Sequence, residues 1–391
     1  MLRFLTAGES HGPQLTTILE GFPAGVPLDL DRLNQQLARR QKGYGSGGRM
    51  KIESDAVHIS AGFMNGLTTG GPIAITVVNR DFAKWQHRDI DPMTIPRPGH
   101  ADLTGAIKYG YTDLRLALER ASARETAVRV AIGALCQQLL AHFDITIGSY
   151  VTSIGDVTAN IPATMSYPDR FAAAETNDIR TPMPDDIEAM RQKIWEIMQA
   201  KDTIGGIFEV VALGLPPGLG SHVHWDRRLN SQLLWYMSSI QAIKGVEIGH
   251  AFANSSRPGT EVHDEIFLDD DGQTLTRHTN NSGGFEGGIT TGEPVIVRAA
   301  MKPISTVLNP RKSVDLVSGE EQSTVYERSD FCAVPRAAVV GEAMIAIPLA
   351  NALLEKLGGD SLAEMKPRFQ TLRQARLDDL LMDNLPWRFG Y

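Results

Sequence analysis

Gly62-Phe-Met-Asn-Gly66-Leu-Thr68-Thr69-Gly70-Gly-Pro72-Ile73 returns, far down the chain, as Gly284-Phe-Glu-Gly-Gly288-Ile-Thr290-Thr291-Gly292-Glu-Pro294-Val295. Upstream of the first copy, Gly21-Phe-Pro23-Ala-Gly25 precedes Asp31-Arg-Leu33-Asn34-Gln-Gln36-Leu37. Upstream of the second, Gly214-Leu-Pro216-Pro-Gly218 precedes Asp226-Arg-Arg-Leu229-Asn230-Ser-Gln232-Leu233. Downstream, Glu119-Arg120 leads into a helical run through Arg129, and Glu327-Arg328 leads into one through Arg336. A single match of this kind is ordinary turn chemistry, because Gly and Pro serve turns everywhere. Matches that keep the same order predict an internal duplication, with halves at about 1–150 and 200–357.

Each repeated element reads as a strand–turn–strand hairpin feeding a buried strand. Residues 73–78 and 207–213 are short β-branched runs bounded by Gly and Pro, the pattern of strands. Leu30, Leu33 and Leu37 recur at helical spacing behind Asp29, a suitable N-cap. Duplicated halves of this mixed kind predict one interlocked α+β domain over 1–391, arranged about a pseudo-twofold axis. Residues 158–200, rich in Pro, Asp and Met, predict a peripheral insertion with one helix. The charged tail, 358–391, carries no assigned role.

Bulk properties narrow the function. No run of about 18 consecutive apolar residues occurs, so no membrane span is expected. The N-terminus turns polar within a few residues and does not suit a signal peptide. Cys136 and Cys332 both lie in apolar stretches, which fits a reducing cytoplasm and no disulfide framework. A net charge of −8 argues against nucleic-acid binding, which needs a basic surface. Any anion site must therefore be a local gathering of arginines.

Glu119-Arg120-Ala-Ser122-Ala-Arg124-Glu125-Thr-Ala-Val-Arg129 is such a place. Ser122 and Glu125 have the spacing of a capping box opening a helix through Ala131, Leu135 and Leu139. A helix N-terminus attracts anions, and Arg120 and Arg124 flank this one, though both can instead pair with Glu119 and Glu125. A second cationic run, Arg39-Arg40-Gln-Lys42-Gly43-Tyr-Gly45-Ser46-Gly-Gly-Arg49, follows a helix and precedes a strand-like Met50-Lys-Ile-Glu53. A dinucleotide fingerprint needs the opposite order, so a basic loop closing on an anion remains. His11 sits among glycines in Gly8-Glu-Ser-His11-Gly12, and His100 ends Arg97-Pro-Gly-His100. Taken singly, each histidine suits a structural hydrogen bond as well as catalysis. His222 and His224 have strand spacing but no third ligand nearby in sequence, so no metal site is expected.

The motifs Gly8-Glu-Ser-His-Gly12, Arg97-Pro-Gly-His-Ala-Asp102, Arg120-Ala-Ser-Ala-Arg-Glu-Thr126, Gly284-Phe-Glu-Gly-Gly288, Lys302-Pro-Ile-Ser-Thr306 and Glu327-Arg-Ser-Asp330 closely resemble the chorismate synthase family. The likeness runs in register from the first residues to about Leu357. It implies a β-α-β-α sandwich, a homotetramer and reduced FMN, with elimination of phosphate from 5-enolpyruvylshikimate-3-phosphate to give chorismate. By motif match it implies His100 as the acid for the departing phosphate, His11 as a proton donor to the flavin ring, and Asp330 as the carboxylate managing the flavin proton. It further implies flavin contacts from Arg120, Ser122, Ala123, Arg124, Gln241, Ala242, Gly287, Lys302, Pro303, Ile304, Ser305, Thr306 and Arg328. Substrate or pyridine-nucleotide contacts would come from Arg40, Ser46, Arg49 and Arg97. Many relatives carry arginine where this chain has Ser46, so weaker anion binding is expected there.

With no added reductase segment visible, reduced flavin is expected from an outside source such as a flavin reductase, with NADPH the indirect reductant. The nearest rival is an FMN-dependent oxidoreductase acting on a small anionic substrate. An RNA-binding module built on the Tyr44 loop is opposed by the acidic total.

Overall fold

In the computed structural model, residues 1–46, 55–327 and 329–390 are described. The first half runs β1 (Arg3–Ala7), β2 (Gln14–Glu20), α1 (Leu30–Gln41), β3 (Val57–Ala61), β4 (Phe63–Met64), β5 (Leu67–Thr68) and β6 (Ile73–Val78). It continues through α2 (Asp102–Tyr109), α3 (Arg115–Ala121) and α4 (Thr126–Ala141). After β7 (Thr146–Ile154) and β8 (Val157–Thr158) come α5 (Tyr167–Glu175) and α6 (Pro184–Gln199). Then follow β9 (Gly206–Leu213), α7 (Leu229–Ser238), β10 (Ile243–Ile248), two single-turn helices α8 (Ala251–Asn254) and α9 (Gly259–Val262), and a hairpin β11 (Ile266–Leu268) and β12 (Leu275–Arg277). β13 (Phe285–Glu286), β14 (Ile289–Thr290), β15 (Val295–Met301), β16 (Lys312–Val314), β17 (Glu321–Ser323), α10 (Val334–Leu357) and α11 (Leu362–Gln370) complete the order.

Two antiparallel sheets carry the architecture. The first has the order β1-β2-β6-β3, the second β7-β9-β15-β10 with β8 added at the β7 edge. In each, the second strand leads to a helix, the third to a two-stranded hairpin, and the fourth returns to lie between them. The repeated Thr-Thr-Gly element explains the likeness. Thr68 Oγ1 donates to the Pro23 carbonyl (2.6 Å) and accepts from Val26 N (2.9 Å). Thr290 does the same with Pro216 (2.7 Å) and Leu219 (2.9 Å). Gly62 and Gly284 hold φ of 79° and 87°, and a Cβ at either would lie within 2.7 Å of the following proline's carbonyl oxygen. Glycine is required at both positions for the same reason.

Helices α1 and α4 pack on the first sheet, and α7 and α10 on the second. The two helix pairs meet where α4 crosses α10, with Gly133 so close that a Cβ there would lie 2.3 Å from Ala343 Cα. One hydrophobic core fills this space, from Leu15, Leu33 and Ile75 through Leu135 to Phe208, Ile345 and Leu353. On the far face of the second sheet Tyr150, Val211 and Ile296 are covered by α5 through Ala174, Tyr167 and Phe171. α10 is long and apolar enough to cross a membrane, despite the expectation of no such stretch, but it lies buried in this core.

The insertion holds two helices where one was expected. Its prolines open helices: Pro168 lies in the first turn of α5 behind the Ser166 cap, and Pro184 begins α6. Proline costs nothing at these positions, because its missing N–H would have no partner in the helix.

Candidate active site

The site begins at the end of α1, where Arg40 turns inward instead of resting on the helix dipole. Its Nε donates to Thr126 Oγ1 (2.9 Å) and its Nη2 to the Ala123 carbonyl (3.0 Å). Asp55 lies between two guanidiniums, 2.6 Å from Arg124 Nη1 and 3.6 Å from Arg40 Nη1. The Asp55 side chain is 1% exposed and both arginines 4%, so these charges interact largely out of water. Arg124 Nε donates to Asn79 Oδ1 (2.8 Å), and Asn79 Nδ2 to the Gly12 carbonyl (2.7 Å). The arginine pair is thereby wired to the loop that carries His11.

His11 is held by Glu119, which takes its ring Nδ1 at 2.7 Å and its backbone N–H at 2.7 Å. The Trp85 ring packs against the imidazole, centroids 4.3 Å apart. Burial pushes the Glu119 carboxyl upward, but the His11 hydrogen bonds outweigh it and hold the group below its ordinary value. Beside this loop Ser122 Oγ donates to Ser10 Oγ (3.1 Å), and Arg120 Nη2 donates to the Thr6 carbonyl and Oγ1, both at 3.0 Å.

The expected capping box forms only in part. Ser122 Oγ accepts from Arg124 N (3.3 Å) and caps a single 3₁₀ turn, Ala123–Glu125, ahead of α4. Glu125 turns instead to Thr6 Oγ1 (2.6 Å), Arg129 Nε (2.8 Å) and Gln241 Nε2 (3.3 Å). That last bond brings the second half of the chain to the site.

From Gln241 the path continues through neighbours. Lys302 N donates to the Ala242 carbonyl (2.9 Å), and a Cβ on Gly99 would lie 3.7 Å from Lys302 Nζ and 3.5 Å from Ser305 Cβ. Thr306 Oγ1 accepts from Arg97 Nη1 (3.0 Å), so the Lys302–Thr306 stretch and the Arg97–His100 loop are docked together. Pro303 accepts from Lys302 Nζ (3.3 Å) and Ile304 from Thr203 Oγ1 (2.7 Å) through their carbonyls, which pins the stretch. His100 Nδ1 lies 2.5 Å from Asp102 Oδ1, and Arg97 Nε 2.8 Å from Asp102 Oδ2. Burial pushes Asp102 upward, yet His100 and Arg97 overcome it and hold the carboxyl far below its usual range. The circuit closes on the other side: Ser329 Oγ donates to the Thr306 carbonyl (2.9 Å), Asp330 pairs with Arg336, and Arg336 Nε donates to the Arg40 carbonyl (3.1 Å).

His11, His100 and Asp330 thus belong to one hydrogen-bonded surround built from both halves. Ser46 packs nearby through its bond to the Gly43 carbonyl, while Gly45 accepts from Phe331 N (2.9 Å). Gly287 turns the β13–β14 hairpin, where a Cβ would lie 3.7 Å from the His222 Cβ. Arg49, Arg328 and the Met50–Glu53 run fall outside the described residues. Asp55, Asn79, Glu119, Glu125, Trp85 and Arg336 are site residues to which the sequence reading gave no role there.

The surround also fits a flavin, whose ring offers N–H donors and whose phosphate is an anion. Gln241 Oε1 is buried with no hydrogen-bond partner, an acceptor awaiting a donor. Burial, with Lys244 near, lowers the Lys302 ammonium below its ordinary value, a charge that an anion would relieve. Ala242 holds a positive φ of 68°, unusual for a residue with a side chain and common where a backbone is bent around a ligand.

Buried guanidiniums and two carboxylate-held imidazoles on this scaffold suit an enzyme that acts on a small anion. A family model described as chorismate synthase matches residues 2–354. A chorismate synthase of Aquifex aeolicus is 52% identical over 385 residues, covering 94% of this chain and 96% of the relative. One of Desulforamulus reducens is 51% identical, covering 96% and 99%. A crystal structure of a chorismate synthase superposes with a TM-score of 0.77 at 45% identity, covering 94% of this chain and 96% of that one. The chain belongs to the chorismate synthase family, and its chemistry is that of a lyase.

Proposed function

We propose that this site eliminates phosphate from 5-enolpyruvylshikimate-3-phosphate to give chorismate, in aromatic amino acid biosynthesis, with reduced FMN bound beside the substrate. The observation that carries the reading is the docking of the Arg97–His100 loop on the Lys302–Thr306 stretch. It places a carboxylate-held imidazole against the residues expected to hold the cofactor.

Arg97, Arg40 and Arg124 face a substrate with one phosphate and two carboxylates. Each charge-assisted contact contributes roughly 1.5–3 kcal/mol, so several offset the loss of water from such an anion. The ring hydrogen lost is not acidic, and no ordinary base removes it efficiently at neutral pH. Reduced flavin supplies electron density that eases phosphate loss and is regained, leaving no net redox change. His100, steadied by Asp102 and Arg97, donates a proton to the departing phosphate. His11, steadied by Glu119, holds a proton on the cofactor's side, and Asp330, paired with Arg336, manages the proton at the flavin. Gln241, Ala242, Ser122, Ala123 and the Lys302–Thr306 stretch hold the flavin.

The same reading extends to the whole molecule: one domain over residues 1–391, a β-α-β-α sandwich whose halves are related by a pseudo-twofold axis. The common strand order of the two sheets and the paired roles of Thr68 and Thr290 support it. It also takes the enzyme as a cytoplasmic homotetramer supplied with reduced flavin by a separate reductase drawing on NADPH. Leu5, Ile18 and Val78 remain exposed on one face of the first sheet, which supports a further subunit there.

Anaerobic mixing of the protein, photoreduced FMN and substrate tests the reaction. Phosphate released over many turnovers, with the flavin spectrum ending reduced, supports the lyase. One equivalent of product per flavin, with the flavin left oxidised, belongs to a hydride-transferring oxidoreductase and overturns the reading.

A further inference from the structure

Glu119 uses both carboxylate oxygens on one residue. Oε1 meets His11 Nδ1 and Oε2 meets the His11 backbone N–H, each at 2.7 Å, across 108 residues of chain. The group is held below its ordinary carboxylate value, so it is ionised near neutrality and can only accept hydrogen bonds. A ring nitrogen at 2.7 Å from an ionised carboxylate must then carry a hydrogen. The backbone bond fixes where the ring starts, and Trp85 limits how it tilts.

We propose that Glu119 is a positioning residue that locks His11 in the Nδ1–H tautomer, so that His11 exchanges its proton through Nε2. This rests on the role given to His11 above, but the tautomer itself is a property of the resting protein. The rule is general: the hydrogen bond at one imidazole nitrogen decides the state of the other.

Glu119→Gln keeps the shape but can accept at one atom only, so one of the two His11 N–H groups would meet an amide N–H. The test is a nitrogen–proton correlation spectrum of the full chain labelled with 15N-histidine, the His11 signal assigned by its loss in His11→Gln. The expected result is a protonated Nδ1 and a bare Nε2 in the neutral ring of the parent, and a mixed or reversed pattern in Glu119→Gln. With reduced FMN and substrate, Glu119→Gln should lose about tenfold or more in kcat while KM stays within about twofold. Glu119→Asp, which keeps the charge, should recover part of both signals. A parent His11 protonated at Nε2, or a Glu119→Gln variant with unchanged tautomer and kcat, overturns the proposal. Near-normal turnover in His11→Ala would instead remove His11 from the reaction, whatever its tautomer.

Discussion

Asp55→Asn removes the negative charge shared by Arg124 and Arg40, whose guanidiniums lie 2.6 and 3.6 Å from it and 4% exposed. Taking one charge from a buried pair costs about 3–5 kcal/mol, because the remaining cations have given up water for it. Unfolding entropy of about 2.1 cal/mol/K per residue, over 391 residues, is about 0.8 kcal/mol/K. The melting temperature should therefore fall by about 4–6 °C, measured by scanning calorimetry of the protein without ligand. Inorganic phosphate should restore part of the loss, since an anion bound only by the folded state stabilises it. The gain with phosphate should be larger in Asp55→Asn than in the parent. A variant that melts within about 1 °C of the parent would refute the claim that these charges are coupled out of water.

Four further outcomes are expected. His100→Ala should keep flavin binding by difference spectroscopy and lose about 100-fold or more in turnover, as for a lost general acid. Ser46→Arg should lower the apparent substrate constant in steady-state kinetics, and an unchanged or higher constant would count against an anion contact there. Thr68→Val and Thr290→Val each remove the same two buried hydrogen bonds and should each cost about 1–3 kcal/mol in denaturant unfolding, with one silent position breaking the equivalence of the repeats. Burial raises the Glu175 carboxyl, but Arg39 and Arg180 more than reverse it, taking the group to about 2. A lowered carboxylate stabilises the fold above its unfolded value, near 4.5, and that stability is lost as pH falls toward 2. Glu175→Gln should thus flatten the fall in melting temperature between about pH 5 and pH 3, and a slope unchanged from the parent would rule it out.

The hairpins were legible because their chemistry is local. A positive φ calls for glycine at 62 and 284, and a threonine that bonds two backbone groups leaves the same short signature twice. Asp29 was legible as a cap for a similar reason, accepting from Asp31 N and Arg32 N within one turn. The partners of the histidines were not. Glu119 and Asp102 stand inside motifs that sequence alone singles out, yet nothing in the motif says which imidazole each will hold. Glu119 reaches His11 across 108 residues, and Asn79, a lone residue after a strand, joins Arg124 to the same loop. Such contacts follow from how the sheet and α4 pack, not from spacing. Arg39 and Arg40 are adjacent in one cationic run, and spacing does not say that Arg39 pairs with Glu342 and Glu175 while Arg40 turns to Thr126. The insertion was expected to hold one helix, and it holds two because Pro168 and Pro184 sit in first turns, where proline is compatible with a helix.

The central claim is that residues from both halves of the chain surround one cofactor and one polyanion. A crystal structure with FMN and substrate bound tests it most directly. The flavin should touch Ser122 and Ala123 on one side and Gln241, Ala242 and Lys302–Thr306 on the other, with the substrate phosphate within hydrogen-bond reach of His100. A flavin held by residues of one half alone, or a substrate phosphate far from His100, would contradict the account.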